Sequence, residues 1–201
     1  MREPFINFIE NELQPGTLLI ACGLPGTYKT ETTEEVAKIK GYVIHRTDLI
    51  RKEILKDVDI FDEKVASNYE IRKRVYDEMF SRAEDSLKYE KGVILDATFV
   101  TQELRRRAAK IAGDQNKFFV ILQTHCSKDS SIRRILKRTK ENYESNALTE
   151  QAYINNLKKF ESVDLTDLKS INKDLKIIHL TVDTEMDPID DWYIIGMEKR
   201  F

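Results

Sequence analysis

Residues 17–30 read TLLIACGLPGTYKT, and how this stretch is understood decides the fold. Its first part, Thr17–Cys22, is an apolar run with the length and composition of a buried strand. The rest, Gly23-Leu24-Pro25-Gly26-Thr27-Tyr28-Lys29-Thr30, places two of the chain's 7 glycines close together, then a lysine and a hydroxyl residue where a helical segment begins. A loop that wraps a triphosphate needs this chemistry. Glycine lets successive N–H groups turn inward, a helix N-terminus favours the anion, and a lysine reaches the outer phosphates. Lys29 fills the last role, and the hydroxyl of Thr30 is then the protein ligand to a Mg²⁺ bridging the phosphates. Gly26 stands where the backbone approaches the phosphates, and Pro25 stiffens the turn. One position departs from the pattern: Tyr28 replaces the glycine expected just before the lysine. If the backbone there is left-handed, the tyrosine costs about 1 kcal/mol. The alternative is an ordinary strand-to-helix turn that contains two glycines and a lysine.

Outward from this loop, short β-branched runs alternate with long charged stretches of helical period, the pattern of strands joined by crossover helices. Strands are expected at 17–22, 42–46, 93–96, 118–124 and 177–182, which implies a mostly parallel sheet with helices on both faces. Helices are expected at 4–13, 30–40, 62–90, 101–112, 128–140, 149–160 and, at the end, 189–199, with Trp192 and Tyr193 packing that last helix.

The 201 residues carry 33 Lys plus Arg against 35 Asp plus Glu, a net charge of -2, which excludes a global basic field for gathering nucleic acid. A hydrophobic share of 41 % with 34 % charged residues supports a packed core and excludes a disordered tail. The length suits a single domain over 1–201, with a small lid segment at about 128–160. No apolar run approaches the roughly 20 residues that span a bilayer. The opening MREPFINFIENEL has acids where a signal peptide would continue apolar, so a cytoplasmic protein with no membrane partner is expected. Cys22 and Cys126 are too few for a disulfide or zinc framework and sit at the ends of apolar runs, where small buried residues are normal.

In open α/β sheets ligands bind beyond the carboxyl ends of the strands, so polar residues there matter first. Asp48 follows YVIHR, with Arg51 three residues on. An aspartate so placed can accept a hydroxyl proton while the arginine holds an anionic group, or it can cap the next helix, and the spacing leaves both readings open. Asp96 closes the run VILD, where a carboxylate can hold Mg²⁺ directly or through water. In SSIRRILKRTK (130–140), Arg134 and Arg138 lie four apart on one helical face. That face is either solvated or a set of cations over a transferring phosphoryl group on a helical lid. The cluster Arg105-Arg106-Arg107 with Lys110 points around its helix and is expected to meet solvent. His45, His125 and His179 fall in or at the ends of strands and are expected to be structural.

With these residues assembled, the sequence resembles the broad group of small P-loop kinases: polynucleotide 5′-hydroxyl kinases, zeta-toxin-like and gluconate-type kinases, and AAA-like ATP-binding domains. The matching stretches are GLPGTYKT, TDLIRKEI, GVILDATFVTQELRRRAAKIA and RRILKRTKENYESNA, covering about 18–161. The resemblance implies a three-layer P-loop NTPase sandwich with a five-stranded parallel sheet in the order 2-3-1-4-5 and a helical lid. It implies that ATP and Mg²⁺ are bound, with Gly23, Pro25, Gly26, Thr27, Tyr28, Lys29 and Thr30 around the phosphates and Arg134 beside the base. It further implies Asp48 as the base for the acceptor hydroxyl, Arg51 on the acceptor, Asp96 at the metal or the acceptor arginine, and Arg138 as the lid arginine. Tyr28, Asn146 and the segment HRTD depart from the group's pattern. The expected activity is γ-phosphate transfer from ATP to a hydroxyl of a small-molecule or nucleotide acceptor. A nucleic-acid end as acceptor is disfavoured by the charge, and a nucleotide-binding switch without transfer is the alternative that Tyr28 raises.

Overall fold

A computed structural model describes residues 2–56, 68–138 and 148–201. The elements run β1 (Glu3–Pro4), α1 (Phe5–Asn11), β2 (Thr17–Cys22), α2 (Lys29–Lys40), β3 (Val43–Arg46), α3 (Thr47–Ile54) and α4 (Tyr69–Ser86). They continue with β4 (Gly92–Asp96), α5 (Gln102–Asp114), β5 (Phe118–His125), α6 (Lys128–Leu136), α7 (Glu150–Lys159), α8 (Leu165–Ile171), β6 (Ile177–Asp183), a 3₁₀ turn (Ile189–Asp191) and β7 (Tyr193–Arg200).

The strands form one seven-stranded sheet in the order β1-β7-β6-β5-β2-β4-β3. Its core, β3-β4-β2-β5-β6, is parallel throughout and reproduces the expected order 2-3-1-4-5. The expected five-stranded sheet is nevertheless too small. β7 pairs antiparallel with β6, and β1 pairs antiparallel with β7, so the sheet is mixed. The terminal helix expected at 189–199 is therefore wrong: the chain makes the 3₁₀ turn and then β7. Eight residues of mixed polarity do not distinguish the two periods, whereas the exposed edge of β6 supplies a backbone partner that no local signal reveals. Gly196 faces Thr181 across that pair, and a Cβ there would stand 3.3 Å from the Thr181 side chain.

Alternate residues of β2 serve opposite faces. Leu18, Ile20 and Cys22 pack with Ile50, Met79, Ala108 and Leu168 on the side of α3, α4, α5 and α8. Leu19 packs with Phe5, Phe8, Val36 and Val120 on the side of α1 and α2, and Trp192 belongs to this second core rather than to a helix. With both faces covered, every residue of β2 is buried, as a central parallel strand requires.

Of the helix expected at 62–90, Tyr69–Ser86 is observed, capped by Asn68, whose side chain accepts from the Ile71 N–H; the part before residue 68 lies outside the described residues. The basic cluster on α5 does not simply meet solvent. Arg105 is fully buried and donates to the carbonyls of Phe99, Val100, Glu161 and Ser162, tying the loop after β4 to the segment after α7. Arg106 pairs with Asp167 at 2.8 Å and Arg107 with Asp77 at 2.6 Å.

Candidate active site

Three adjacent strands, β2, β4 and β3, end side by side, so the loop 23–30, Asp96 and the start of α3 share one edge of the sheet. The glycines of the loop are required by space as well as by backbone. Gly23 has φ +141°, and a Cβ on it would stand 2.8 Å from the Thr124 carbonyl; Gly26 has φ +81°, and a Cβ on it would enter the Ser131 carbonyl. Pro25 is buried between them. The buried Thr27 hydroxyl donates to Leu24 O at 2.8 Å and lies 2.7 Å from the Thr124 hydroxyl, which braces the loop from inside. Thr32 N–H donates to Tyr28 O at 3.0 Å as the first turn of α2 closes. The amides ahead of it are the first-turn donors that a helix leaves for an anion.

Lys29 Nζ donates to Leu24 O at 2.6 Å, which folds the ammonium back over the loop. Burial lowers its pKa to about 8, with the Asp96 carboxylate opposing that shift. Tyr28 does adopt the left-handed backbone, φ 56° and ψ 36°. Its ring lies against Arg134 and Trp192, and its hydroxyl donates to Asp187 Oδ1 at 2.9 Å.

Asp96 is the hub of the polar contacts. Thr30 Oγ1 donates to its Oδ2 at 3.1 Å. Arg46 is its register partner on β3 and donates Nε to the same oxygen at 2.8 Å, while Arg46 Nη2 reaches Glu34 at 2.9 Å. A hydroxyl and a carboxylate 3.1 Å apart beside a half-buried ammonium form a hard-oxygen pair suited to a divalent cation bound with phosphate. Among the described residues no group of three or more His, Cys, Asp or Glu could hold a metal by itself, so phosphate oxygens and water would complete the shell.

Asp48 lies in the first turn of α3 behind Arg46, the N-cap residue, so the capping reading does not hold. Burial raises its carboxyl to about 6; Arg51, Arg138 and Arg46 pull the other way, and Asp96 adds to the rise. Arg51 Nη1 stands 3.5 Å from Asp48 Oδ1, and the Nε of this buried arginine has no hydrogen-bond partner among the described residues. Arg138, just past the end of α6, acts on both Lys29 and Asp48. The structure thus gathers Lys29, Thr30, Asp48, Arg51, Asp96 and Arg138. Arg134 is committed elsewhere: its guanidinium donates to the carbonyls of Gly26, Thr184 and Glu185 and to Asp187. Arg46 is the site residue that the sequence did not single out; its only signal was HRTD as a departure from pattern. Asn146 lies outside the described residues.

His45 and His179 have partners outside this group of residues. His45 bonds Ser86, and His179 bonds Gln123, with burial lowering the His179 pKa to about 4. Both cysteines are free and buried. No helix among the described residues is long and apolar enough to cross a membrane.

A strand, a glycine-bearing loop, a helix opened by lysine and threonine, and an aspartate closing the neighbouring strand define a P-loop NTPase fold. The family model described as an AAA domain matches residues 18–162, and the chain belongs to that family. Solved structures share the fold. A gluconokinase from Sinorhizobium meliloti 1021 superposes with a TM-score of 0.58 at 16 % identity, over 88 % of this chain and 87 % of that one. A sugar kinase from Janibacter sp. HTCC2649 gives 0.59 at 13 %, over 87 % and 88 %. A chain of the Pnkp1/Rnl/Hen1 RNA repair complex gives 0.53 at 16 %, over 75 % of this chain and 48 % of that one. No curated protein matches the sequence.

Proposed function

We propose that the chain is an ATP-dependent kinase that transfers the γ-phosphate to a hydroxyl of a small-molecule or nucleotide acceptor. The observation that carries this reading is the meeting of a half-buried Lys29, the Thr30–Asp96 pair and a raised Asp48 at one sheet edge. The loop amides and Lys29 would hold the triphosphate, and Thr30 with Asp96 would hold Mg²⁺, which would supply charge neutralisation to the phosphates. Asp48 takes the proton of the acceptor hydroxyl, whose oxygen bonds to the γ-phosphorus as the bond from that phosphorus to the β–γ bridging oxygen breaks and ADP leaves. A carboxyl near pH 6 is ionised at neutral pH yet basic enough for this task. Arg51 orients the acceptor, and Arg138 offsets charge on the transferring group. Catalysis is then mostly positioning and electrostatics.

The acceptor is expected to be small, because a charge of -2 provides no field for a polymer. The test incubates the protein with γ-labelled ATP and Mg²⁺ over a panel of sugars, sugar acids, nucleosides and 5′-hydroxyl oligonucleotides, with Lys29→Ala as control. Label in one acceptor that disappears in the control is the expected result; hydrolysis or silence across the panel overturns transfer. A second reading, nucleotide binding without transfer, is favoured by one contact: Arg46 already places a cation on Asp96. Tight nucleotide binding with no labelled product supports it.

A further inference from the structure

Tyr28 occupies a left-handed backbone conformation that is strained for a non-glycine residue, and such strain persists only where the surroundings outweigh it. The surroundings here are specific. The Arg134 Cζ lies 3.8 Å from the centroid of the Tyr28 ring. The Trp192 ring stacks on it with centroids 5.4 Å apart and an interplanar angle of 27°. The hydroxyl donates to Asp187, which also accepts from Arg134 at 3.1 Å. A cation–π contact, a stacked aromatic pair and a hydrogen bond to a charged group act together against the strain of one residue.

These contacts join three separate parts of the chain. Arg134 belongs to α6, is 6 % exposed, and also donates to Gly26 O at 3.3 Å and Thr184 O at 2.7 Å. Thr184 in turn donates its hydroxyl to Thr27 O at 3.1 Å, and Trp192 donates its indole N–H to Met186 O at 2.8 Å. The phosphate loop is therefore tied at Gly26, Thr27 and Tyr28 to α6 and to the connection between β6 and β7. Four residues after Arg134 comes Arg138, whose charge acts on Lys29 and Asp48.

We infer that Tyr28 is a positioning residue: by stacking on Arg134 and Trp192 it fixes α6 against the phosphate loop and so sets where Arg138 stands over the reacting groups. The kinetic part of this inference rests on the kinase reading; the mechanical tie does not. Glycine at position 28 relieves the strain and leaves the loop able to form, but it removes the ring that packs on the Arg134 guanidinium and so loosens α6.

Two measurements test this. In hydrogen exchange, Tyr28→Gly should speed exchange of the α6 amides at least tenfold while those of α5 stay unchanged. In steady-state transfer, Tyr28→Gly should lower kcat at least tenfold with the nucleotide KM within threefold, and Tyr28→Phe, which keeps the ring and loses the hydroxyl, should recover most of that loss. Wild-type α6 exchange in Tyr28→Gly overturns the inference, and so does an unchanged kcat. If Tyr28→Gly does not fold, Tyr28→Leu takes its place with the same expectations. A wild-type protein that transfers no phosphate defeats the kinase reading alone, and the exchange measurement then decides the tie.

Discussion

Replacing Asp48 by asparagine should move activity and stability in opposite directions. Burial lifts this carboxyl from 3.8 to about 6, so above that pH the fold holds a charge that the unfolded chain solvates better. At about 1.4 kcal/mol per pH unit the rise corresponds to about 3 kcal/mol. With 20 % of the side chain exposed, solvent screening reduces the expected figure to about 2 kcal/mol. Because the folded state binds this proton more tightly than the unfolded one, the wild type loses stability as pH rises from 3.8 through about 6. Asparagine has no such proton. Asp48→Asn should therefore unfold about 4–8 °C higher than wild type at pH 7.5, and the difference should fade near pH 4. The same change removes the proposed proton acceptor, for which a loss of about 10²–10⁴ in turnover is expected. In the wild type, kcat/KM should rise with pH through about 6 as Asp48 ionises and fall through about 8 as free Lys29 loses its proton. Thermal unfolding at the two pH values, run beside the transfer assay, reads all of this. Wild-type turnover in Asp48→Asn, or a lower melting temperature at pH 7.5, would refute the reasoning.

Two further outcomes follow from the same contacts. Gly26→Ala should abolish nucleotide binding and lower the melting temperature, since its Cβ meets the Ser131 carbonyl at φ +81°; calorimetric titration with Mg·ATP and a thermal melt check both effects. His179 is held near 4 against its ordinary 6.5, so the folded state resists its protonation and stability should fall as pH drops from about 6.5 toward 4. His179→Gln, which does not titrate, should flatten that decline in denaturant unfolding measured at pH 7 and pH 4.5.

The sequence made the candidate-site edge of the sheet legible because its signals are local. A phosphate loop must be contiguous, and the glycines, Lys29 and Thr30 announce it within eight residues. Asp48 and Asp96 followed because both stand at or just beyond strand ends, where ligands gather. The remaining features depend on partners distant along the chain. Arg46 reaches Asp96 only through the register of β3 on β4, and Arg105 is buried because the segment after α7 folds back over it. The helix α8 is a seven-residue element, capped by Asp164 and too short for a helical period to stand out, and β7 exists because β6 offers an edge. Tyr28 was legible as an anomaly, but its reason, a stack on Arg134 and Trp192, was not.

The most direct measurement is calorimetric titration of the protein with ATP, with and without Mg²⁺, repeated on Lys29→Ala. The account predicts saturable binding by the wild type that tightens when Mg²⁺ is present, and at least a tenfold loss in Lys29→Ala. No heat of binding in the wild type, or equal affinity in the two proteins, would contradict a triphosphate seated on the loop between β2 and α2.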